Sequence, residues 1–171
     1  MPQPQKYVRK AFTLIELMVV IAIVALLASF GLPAYQDYIK KTRVAEALQK
    51  AAGLRTQIID NAMNGLPLSS GQQSVAALST KYADISVQPA TGQIVYRFYA
   101  KYFDGIDQYL YQLPLYDTPG TPHNLLTSGT IPPSNIYWAC VGAPGWTSAS
   151  ERELPAKYLP EACKVRYMNG W

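Results

Sequence analysis

Glu16 is the residue whose position most directly implies chemistry, because it is a carboxylate inside an apolar stretch. Mostly apolar residues precede it from Phe12 to Ile15, and the run from Leu17 to Leu32 carries no charge. An ionised carboxylate in such surroundings is costly unless a cation or a hydrogen-bond donor accompanies it. The sequence therefore predicts that Glu16 has a partner or a functional role.

The two cysteines, Cys140 and Cys163, are the second candidate for chemistry. In an exported domain they would form a disulfide, whereas in the cytosol they would stay reduced. The choice depends on the compartment, and therefore on the amino-terminal segment.

Catalytic and metal-binding chemistry finds no support in the remaining residues. The single histidine, His123, lies in a turn-rich stretch and is predicted to be a solvated loop residue. Asp104 and Asp107 lack the spacing of an EF-hand, and no phosphate-binding glycine motif, paired-cysteine metal motif or nucleophile elbow is present. We therefore expect no enzymatic activity, no catalytic residue, no metal ion and no cofactor.

The formal net charge of +4 is concentrated at the amino terminus. Lys6, Arg9 and Lys10 fall in the first eleven residues, where no acidic residue occurs, and twelve basic residues face eleven acidic ones in the rest. Net charge therefore gives little support to a nucleic-acid partner. Apolar residues make up 49% of the chain and charged residues 15%, which indicates apolar sequence concentrated in one place.

The apolar stretch of residues 12–32 reaches the length of about 20 residues that a membrane-spanning helix needs. One interpretation is an ordinary signal peptide, with residues 6–10 as its basic region and Ser29–Gly31 as a cleavage site, but Pro33 and Glu16 argue against it. A plain membrane anchor is a second interpretation, and it leaves Glu16 unexplained. Basic residues flank the stretch on both sides and do not settle its orientation.

The string KAFTLIE at residues 10–16, continued as LMVVIAIVALLA, closely resembles the amino-terminal signal of type IV pilins. The resemblance implies that a dedicated peptidase and N-methyltransferase removes residues 1–11, a cytoplasmic leader, by cutting between Ala11 and Phe12. It also implies that the new amino terminus at Phe12 is N-methylated and that the apolar segment stays in the mature protein. The residue before the cut is usually glycine in that family, and here it is Ala11.

The resemblance gives Glu16 a role in assembly. In a helical bundle with apolar surroundings, its carboxylate would pair with the positive amine of a neighbouring subunit's Phe12. Pairing two otherwise unsatisfied charges at low dielectric would set the axial register between subunits.

Gly31 and Pro33 stand at the end of the apolar run, and proline removes a helical hydrogen bond. Either the helix ends there or, as the resemblance implies, it is kinked or locally melted at that point.

Residues 34–63 are predicted to form an amphipathic helix, because apolar residues recur at three- and four-residue steps. The apolar positions are Val44, Ala47, Leu48, Ala51, Leu54, Ile58, Ile59 and Ala62, with Arg55 as an exception on that side. The polar side is predicted to carry Arg43, Glu46, Gln49, Lys50, Gly53, Gln57 and Asp60. Residues 64–67, Asn-Gly-Leu-Pro, supply the stop.

Residues 64–171 are predicted to form a globular head, so that the chain has an α+β fold with an antiparallel sheet packed against the helix. The predicted strands are Ile85–Gln88, Ile94–Tyr99, Tyr109–Leu113, Ile136–Val141 and a further short one at Lys164–Met168. Residues 118–134 are predicted to be a long surface loop. The pilin resemblance implies one long helix whose first half, residues 12–33, spans the membrane and protrudes, while its second half packs on this head.

Residues 136–140, IYWAC, and residues 158–163, YLPEAC, resemble the carboxy-terminal pattern of major type IVa pilins. The resemblance implies a disulfide between Cys140 and Cys163 that closes the so-called D-region, residues 140–163, a loop exposed on the fibre.

Together the resemblances imply a major type IVa pilin, a structural subunit of a surface fibre for adhesion, twitching motility or DNA uptake. The implied partners are other pilin subunits in a homopolymer, the processing enzyme and the inner-membrane assembly machinery. The implied location is the bacterial inner membrane for the precursor and the extracellular pilus afterwards.

Three alternatives remain: a minor pilin, a DNA-binding uptake pilin and a type II secretion pseudopilin. Tyrosines close to Arg97 and Lys101 could stack on single-stranded DNA bases, although packing within strands accounts for them as well. The cysteine pair and the YLPEAC string favour a true pilin over a pseudopilin.

Overall fold

The computed structural model describes residues 12–72, 75–142, 152–161 and 163. The chain divides into two compact units, with the boundary between Tyr38 and Ile39. Helix α1, Leu14–Lys50, contributes residues to both units.

In the first unit, α1 continues through Pro33, so the interpretation in which the helix ends at this residue is wrong. Among the described residues, the helical stretch Leu14–Met63 is the one long and apolar enough to cross a membrane, by length and composition. A kink at Gly31 and Pro33 stays a prediction.

The second unit begins with the rest of α1 and with helix α2, Ala52–Met63. The single predicted helix is interrupted only at Ala51, and hydrogen bonds from Ala51 N to Ala47 O and from Arg55 N to Ala51 O continue the helical pattern across it. Helix α2 ends as predicted. Gly65 adopts a φ of 64°, and Leu66 N donates to Asn61 O at 2.9 Å, which is a glycine-terminated helix end.

The predicted apolar face of this helix is confirmed, and its covered surface is wider than predicted. The buried residues are Val44, Ala47, Leu48, Ala51, Leu54, Ile58 and Ala62, while Ile59 is half-buried. Arg43 and Gln57, predicted on the polar side, are half-buried because loops of the head fold over the edges of the helix. Arg43 donates to the carbonyl of Tyr102 at 3.3 Å, and Gln57 donates to the carbonyl of Ser70 at 3.1 Å.

In the described ranges, six strands form one sheet: β1 Ala83–Val87, β2 Ile94–Phe98, β3 Gln108–Thr118, β4 Thr121–Leu125, β5 Tyr137–Val141 and β6 Arg152–Glu153. Strand β1 pairs with β2, and the long strand β3 pairs with β2, β4, β5 and β6. Strands β2 and β4 lie along one edge of β3, and β6 and β5 lie along the other. Residues 108–109 pair with both β2 and β6, residues 111–112 with both β2 and β5, and residue 115 with both β4 and β5, so the two strands of each such pair must lie on opposite edges. Three short helices complete the described part: helix α3, Val75–Leu78, and 3-10 turns at Ala100–Tyr102 and Ala156–Tyr158.

Three predictions about the head need correction or fall outside the structure. The stretch 118–134 is not all loop, because β4 pairs with the end of β3 across the turn at Pro119 and Gly120, and His123 therefore lies in a strand. The sheet is mixed, because the two-residue strand β6 runs parallel to β3. The predicted strand Lys164–Met168 lies outside the described residues.

Alternate side chains of β3 supply two apolar clusters, one on each face of the sheet. The inner face, with Leu110, packs with the buried side of α1 and α2 into the main core. The outer face carries a second cluster, formed by Tyr111, Leu113, Leu115, Ala139 and Val141. The predicted α+β fold, one long helix and a sheet, is thereby confirmed.

Gly92 gives a sharp test of the contact between helix and sheet. Its φ is +68°, and a Cβ there would lie 2.9 Å from Ile58 Cγ2 on the helix. We expect Gly92→Ala to lower the free energy of unfolding by about 3 kcal/mol, because backbone strain and overpacking add. The measurement is urea unfolding of the full chain in detergent, followed by tryptophan fluorescence.

The matched control is Gly120→Ala in the β3–β4 turn, where φ is +87° but a Cβ would have nothing within 4 Å. It should cost only the strain, about 1 kcal/mol. Equal losses in the two variants would contradict the close approach of the hairpin turn to α2.

Candidate assembly site

The amino terminus of α1 is closed by its own side chains. Thr13 precedes the helix, and both its backbone N and its Oγ1 donate to Glu16 Oε2 at 2.8 Å. In return, Glu16 N donates to Thr13 Oγ1 at 3.3 Å. This reciprocal pair is a capping box, and it satisfies donors at the helix start that have no partner within the helix. Thr13 is thus a hydrogen-bond partner of Glu16 within its own chain, and the pairing of Glu16 with a neighbouring subunit stays a prediction.

One oxygen of this carboxylate does all of the capping. Both Thr13 bonds end on Glu16 Oε2, and Glu16 Oε1 takes part in no hydrogen bond or ion pair with the described residues. The geometry therefore leaves one carboxylate oxygen able to accept a bond from outside the chain.

The apolar side chains around and after Glu16 are exposed over the whole circumference of the helix. In the structure they leave between 52% and 88% of each residue's surface uncovered. They are Phe12, Leu14, Ile15, Leu17, Met18, Val19, Val20, Ile21, Ile23, Val24, Leu26, Leu27, Phe30 and Leu32. A continuous apolar surface of this size is not stable in water, so lipid or protein must cover it.

The helix is locally weakened at the end of this surface. Pro33 has no N–H to donate to the Ser29 carbonyl, so one helical hydrogen bond is missing inside α1. Ser29 Oγ donates to the Leu26 carbonyl at 2.7 Å, and Gly31 offers no side chain for packing.

The Cys140–Cys163 disulfide, predicted from the resemblance, is present. The two Cα atoms are 5.1 Å apart, the residues are separated by 23 positions, and both cysteines are buried. The bond ties the end of β5 to the segment that follows the 3-10 turn at Ala156–Tyr158. Closing a loop of this length contributes about 3 kcal/mol in the chain-entropy model.

A buried polar chain supports the disulfide. Tyr96 Oη donates to Gln112 Oε1 at 2.6 Å, and Gln112 Nε2 lies 3.8 Å from Cys140 Sγ as a donor. Burial raises the pKa of Tyr96, so its hydroxyl keeps its proton and remains the donor of this chain. Gln112 therefore orients the sulfur from the middle of the sheet.

Lys40 on α1 forms the second tie to the D-region. Its Nζ donates to Asp104 Oδ1 at 2.5 Å and to Tyr158 Oη at 3.2 Å. The bond from Lys40 lowers the pKa of Asp104, and the bond to Asp104 raises the pKa of Lys40. Asp104 adopts a φ of 51°, which asparagine tolerates equally well. Local sequence patterns do not predict these contacts, because Asp104 and Tyr158 lie 64 and 118 positions after Lys40 in the chain.

Arg97, which could have bound phosphate, is engaged within the sheet. It forms an ion pair with Asp84, the carboxylate that also accepts a bond from Tyr99 Oη at 2.5 Å. Burial alone would raise the pKa of Asp84, but the bonds from Tyr99, Arg97 and Ser79 outweigh it and lower the pKa.

His123 takes part in a surface hydrogen-bond chain. Its Nδ1 lies 2.6 Å from Tyr137 Oη, which donates to Asp117 Oδ1 at 2.7 Å. Within the described ranges, no group of three histidine, cysteine, aspartate or glutamate residues could hold a metal ion.

The predicted site residues are therefore placed as follows. The structure joins Cys140 to Cys163, places Glu16 in the first turn of α1 and places Gly31 and Pro33 inside it. Phe12 is exposed ahead of the helix, whereas Ala11 lies outside the described residues. Thr13 is the residue that the sequence analysis missed, although the Thr-x-x-Glu spacing before an apolar run is a known helix-start signal.

Two family models match the chain. Residues 7–32 match the prokaryotic N-terminal methylation motif, and residues 41–164 match the model described as pilin, a bacterial filament protein.

Curated relatives match part of the chain. A fimbrial protein of Moraxella nonliquefaciens is 52% identical over 68 residues, 40% of this chain and 44% of the relative. A type IV major fimbrial protein FimA of Dichelobacter nodosus is 41% identical over 87 residues, 48% of this chain and 54% of the relative. The matched stretch thus spans about half the length of these relatives.

The Lys40–Asp104 pair predicts a pH dependence. Because the pKa of Asp104 is lowered in the folded state, its contribution to stability is present above its ordinary pKa of 3.8 and is lost as the pH falls through the lowered value. We expect Asp104→Asn to destabilise the head by less than about 1 kcal/mol at pH 7, since the pair is partly exposed. The stability difference from wild type should vanish at acid pH.

Thermal unfolding of both proteins between pH 7 and pH 2 measures this difference. Asp60→Asn, on the exposed side of α2 and without an ion pair among the described residues, is the matched control. A pH-independent effect of Asp104→Asn would contradict the assignment to charge.

Proposed function

We propose that this chain, which belongs to the pilin family, is the major structural subunit of a type IV fimbria and works by assembly rather than by catalysis. The observation that carries the proposal is the exposed apolar surface of residues 12–32, joined in one chain to a pilin head. The names of the relatives, a fimbrial protein and a type IV major fimbrial protein, agree with it.

Processing comes first. The processing enzyme removes residues 1–11 by cutting between Ala11 and Phe12, and it methylates the amine of Phe12. The match of residues 7–32 to the methylation motif supports this step.

Membrane residence and fibre packing are two ways of covering the same surface. As a precursor, the chain is held in the bacterial inner membrane by residues 12–33, whose length suits the bilayer core of about 30 Å. The assembly machinery then moves the helix from lipid into a bundle of identical helices in the extracellular fibre. Residues 34–63 stay with the head, residues 64–171, in both states.

Glu16 couples the two functions of the helix start. Its Oε2 caps its own helix, which leaves Oε1 to accept a bond from the Phe12 amine of a neighbouring subunit. Leaving either charge unpaired in an apolar bundle is costly, so subunits would be held at the axial positions where amine and carboxylate meet.

The weakened stretch at Gly31 and Pro33 is proposed as the point where the helix bends or melts as the fibre packs. Part of the D-region, residues 140–163, is proposed as the surface that the fibre presents to its surroundings, and the disulfide and the Lys40 tie hold its described ends on the head.

A DNA-binding role has less support than assembly. Arg97 is paired with Asp84, Tyr96 and Tyr111 are buried in the cores, and the net charge of the processed chain is near balance. The alternative is that this chain is a minor subunit, and the amount of the protein in the fibre decides between a major and a minor subunit.

Three substitutions separate the two roles of Glu16. Glu16→Ala removes cap and charge, Glu16→Gln removes the charge but preserves a capping-box partner, and Thr13→Ala removes the cap but preserves the charge. We expect processing in all three, with fibre yield reduced at least about tenfold by both Glu16 variants and little by Thr13→Ala. Sheared fibres and membrane fractions are quantified by immunoblot.

Normal fibres from Glu16→Ala would refute a role for this carboxylate in assembly. Normal fibres from Glu16→Gln alone would show that capping, not charge pairing, is what the residue supplies.

Processing is tested by mass spectrometry of filaments sheared from cells. The expected result is an abundant chain that begins at methylated Phe12. Ala11→Gly is the control for cleavage, and it should yield the same terminus because a small residue is retained before the cut. A trace of the processed chain would indicate a minor subunit, and a chain beginning near Leu32 would mean an ordinary secreted domain.

A further inference from the structure

Three Lys-Tyr dipeptides from separate loops converge on one turn of α1. They are Lys81-Tyr82 before β1, Lys101-Tyr102 in the first 3-10 turn and Lys157-Tyr158 in the second. On the helix they meet Lys40 and Arg43, which are three residues apart and so lie on one side. We call these eight residues the basic-tyrosine cluster.

Arg43 forms one half of the cluster. Its guanidinium carbon lies 4.7 Å from the ring centre of Tyr82 and 5.1 Å from that of Tyr102. The two rings contact each other edge to face, with centres 5.1 Å apart. Arg43 is thus packed against two rings, and the lysines beside those tyrosines remain exposed.

Lys40 forms the other half. Its Nζ lies 5.3 Å from the ring centre of Tyr158, and the Nζ of Lys157 lies 4.7 Å from the same ring. The ring of Phe103, next to Tyr102 in the chain, contacts Tyr158 with centres 6.2 Å apart and so connects the two halves.

The cluster has an excess of positive charge. Its eight residues include five basic side chains and no carboxylate, and the neighbouring Asp104 forms an ion pair with Lys40. Lys81, Lys101 and Lys157 are exposed. Tyr82 and Tyr102 are half-buried, and lysines around such rings are the combination found at membrane–water interfaces, where the ring occupies the interfacial layer and the ammonium reaches lipid phosphates.

The position of the cluster in the chain also indicates a membrane surface. Lys40 follows Leu32, the last residue of the apolar run, by eight residues, and Lys41 adds another exposed cation. Juxtamembrane basic clusters are attracted to anionic headgroups and act within a Debye length of the bilayer.

We propose that the basic-tyrosine cluster binds anionic phospholipid headgroups and holds the head against the membrane before assembly. The proposal rests on the membrane residence of the precursor in the proposed function. Nucleic acid fits the cluster less well, because Arg43, Lys40 and the neighbouring lysines already lie at the tyrosine rings on which bases would have to stack, and Tyr158 is only 1% exposed.

The test uses the full-length chain reconstituted into two kinds of vesicle. One is made of phosphatidylcholine alone, and the other also contains about 30 mol% phosphatidylglycerol, enough to give its surface a substantial negative charge. Amide hydrogen exchange is measured at residues 81–82 and 100–103. We expect exchange to be about fivefold slower with phosphatidylglycerol, because that factor corresponds to the attraction of one lysine to an anionic surface. At high salt, the difference between the two kinds of vesicle should disappear.

Matched variants separate charge from structure. Lys81→Gln with Lys101→Gln should lose the protection by phosphatidylglycerol, whereas Lys81→Arg with Lys101→Arg and the single change Arg152→Gln should keep it. Equal exchange in the two kinds of vesicle, or equal loss in the Gln and Arg pairs, would overturn the proposal.

Two other occupants give distinct outcomes that would also overturn it. Protection by added single-stranded DNA in phosphatidylcholine vesicles, without an effect of phosphatidylglycerol, would identify a nucleic-acid surface. Protection that rises with protein density in phosphatidylcholine would identify a second copy of the chain. Flotation of the protein with both kinds of vesicle reports membrane residence separately, so failure of flotation would count against the proposed function rather than the cluster.

Discussion

An apolar helix surface that the rest of the chain leaves uncovered is the constraint on which this molecule depends. Between residues 12 and 32 no described side chain except Glu16 is ionisable, and the apolar side chains are exposed all round. Water cannot be their stable environment, so the chain must always be with lipid or with other chains. Membrane residence and polymerisation are then two solutions to one burial problem.

The second unit buries an apolar core of its own, which is why a head can accompany so apolar a segment. The helix supplies one wall of the main core, the sheet supplies the other, and β3 holds four strands on its two edges. The described parts of the D-region are held to this frame by the Cys140–Cys163 disulfide, by the pairing of β6 with β3 and by the hydrogen bond from Lys40 to Tyr158.

Local patterns explain what could be predicted from the sequence. The apolar run, the three- and four-residue steps after Pro33 and the Asn-Gly stop are properties of neighbouring residues, and the helices and most strands follow from them. Strand β4 could not be found this way, because its Thr-Pro-His-Asn sequence is polar and its conformation comes from pairing with β3. The Lys40–Asp104–Tyr158 contact likewise joins residues far apart in the chain, and only the fold brings them together. Thr13 was within reach, since its spacing to Glu16 is itself a signal.

The capping box also determines where the chain stops being helical. Phe12 and Thr13 are outside α1, and the bonds that end the helix use only residues from Thr13 onwards. A helical peptide bond has its N–H and C=O engaged internally and cannot be laid out straight in the cleft of a protease. Phe12 and Thr13 are not helical, so the residues after the proposed cut can lie extended in such a cleft without unwinding α1. The described bonds of the cap join Thr13 to Glu16, so they would remain after the proposed removal of the leader.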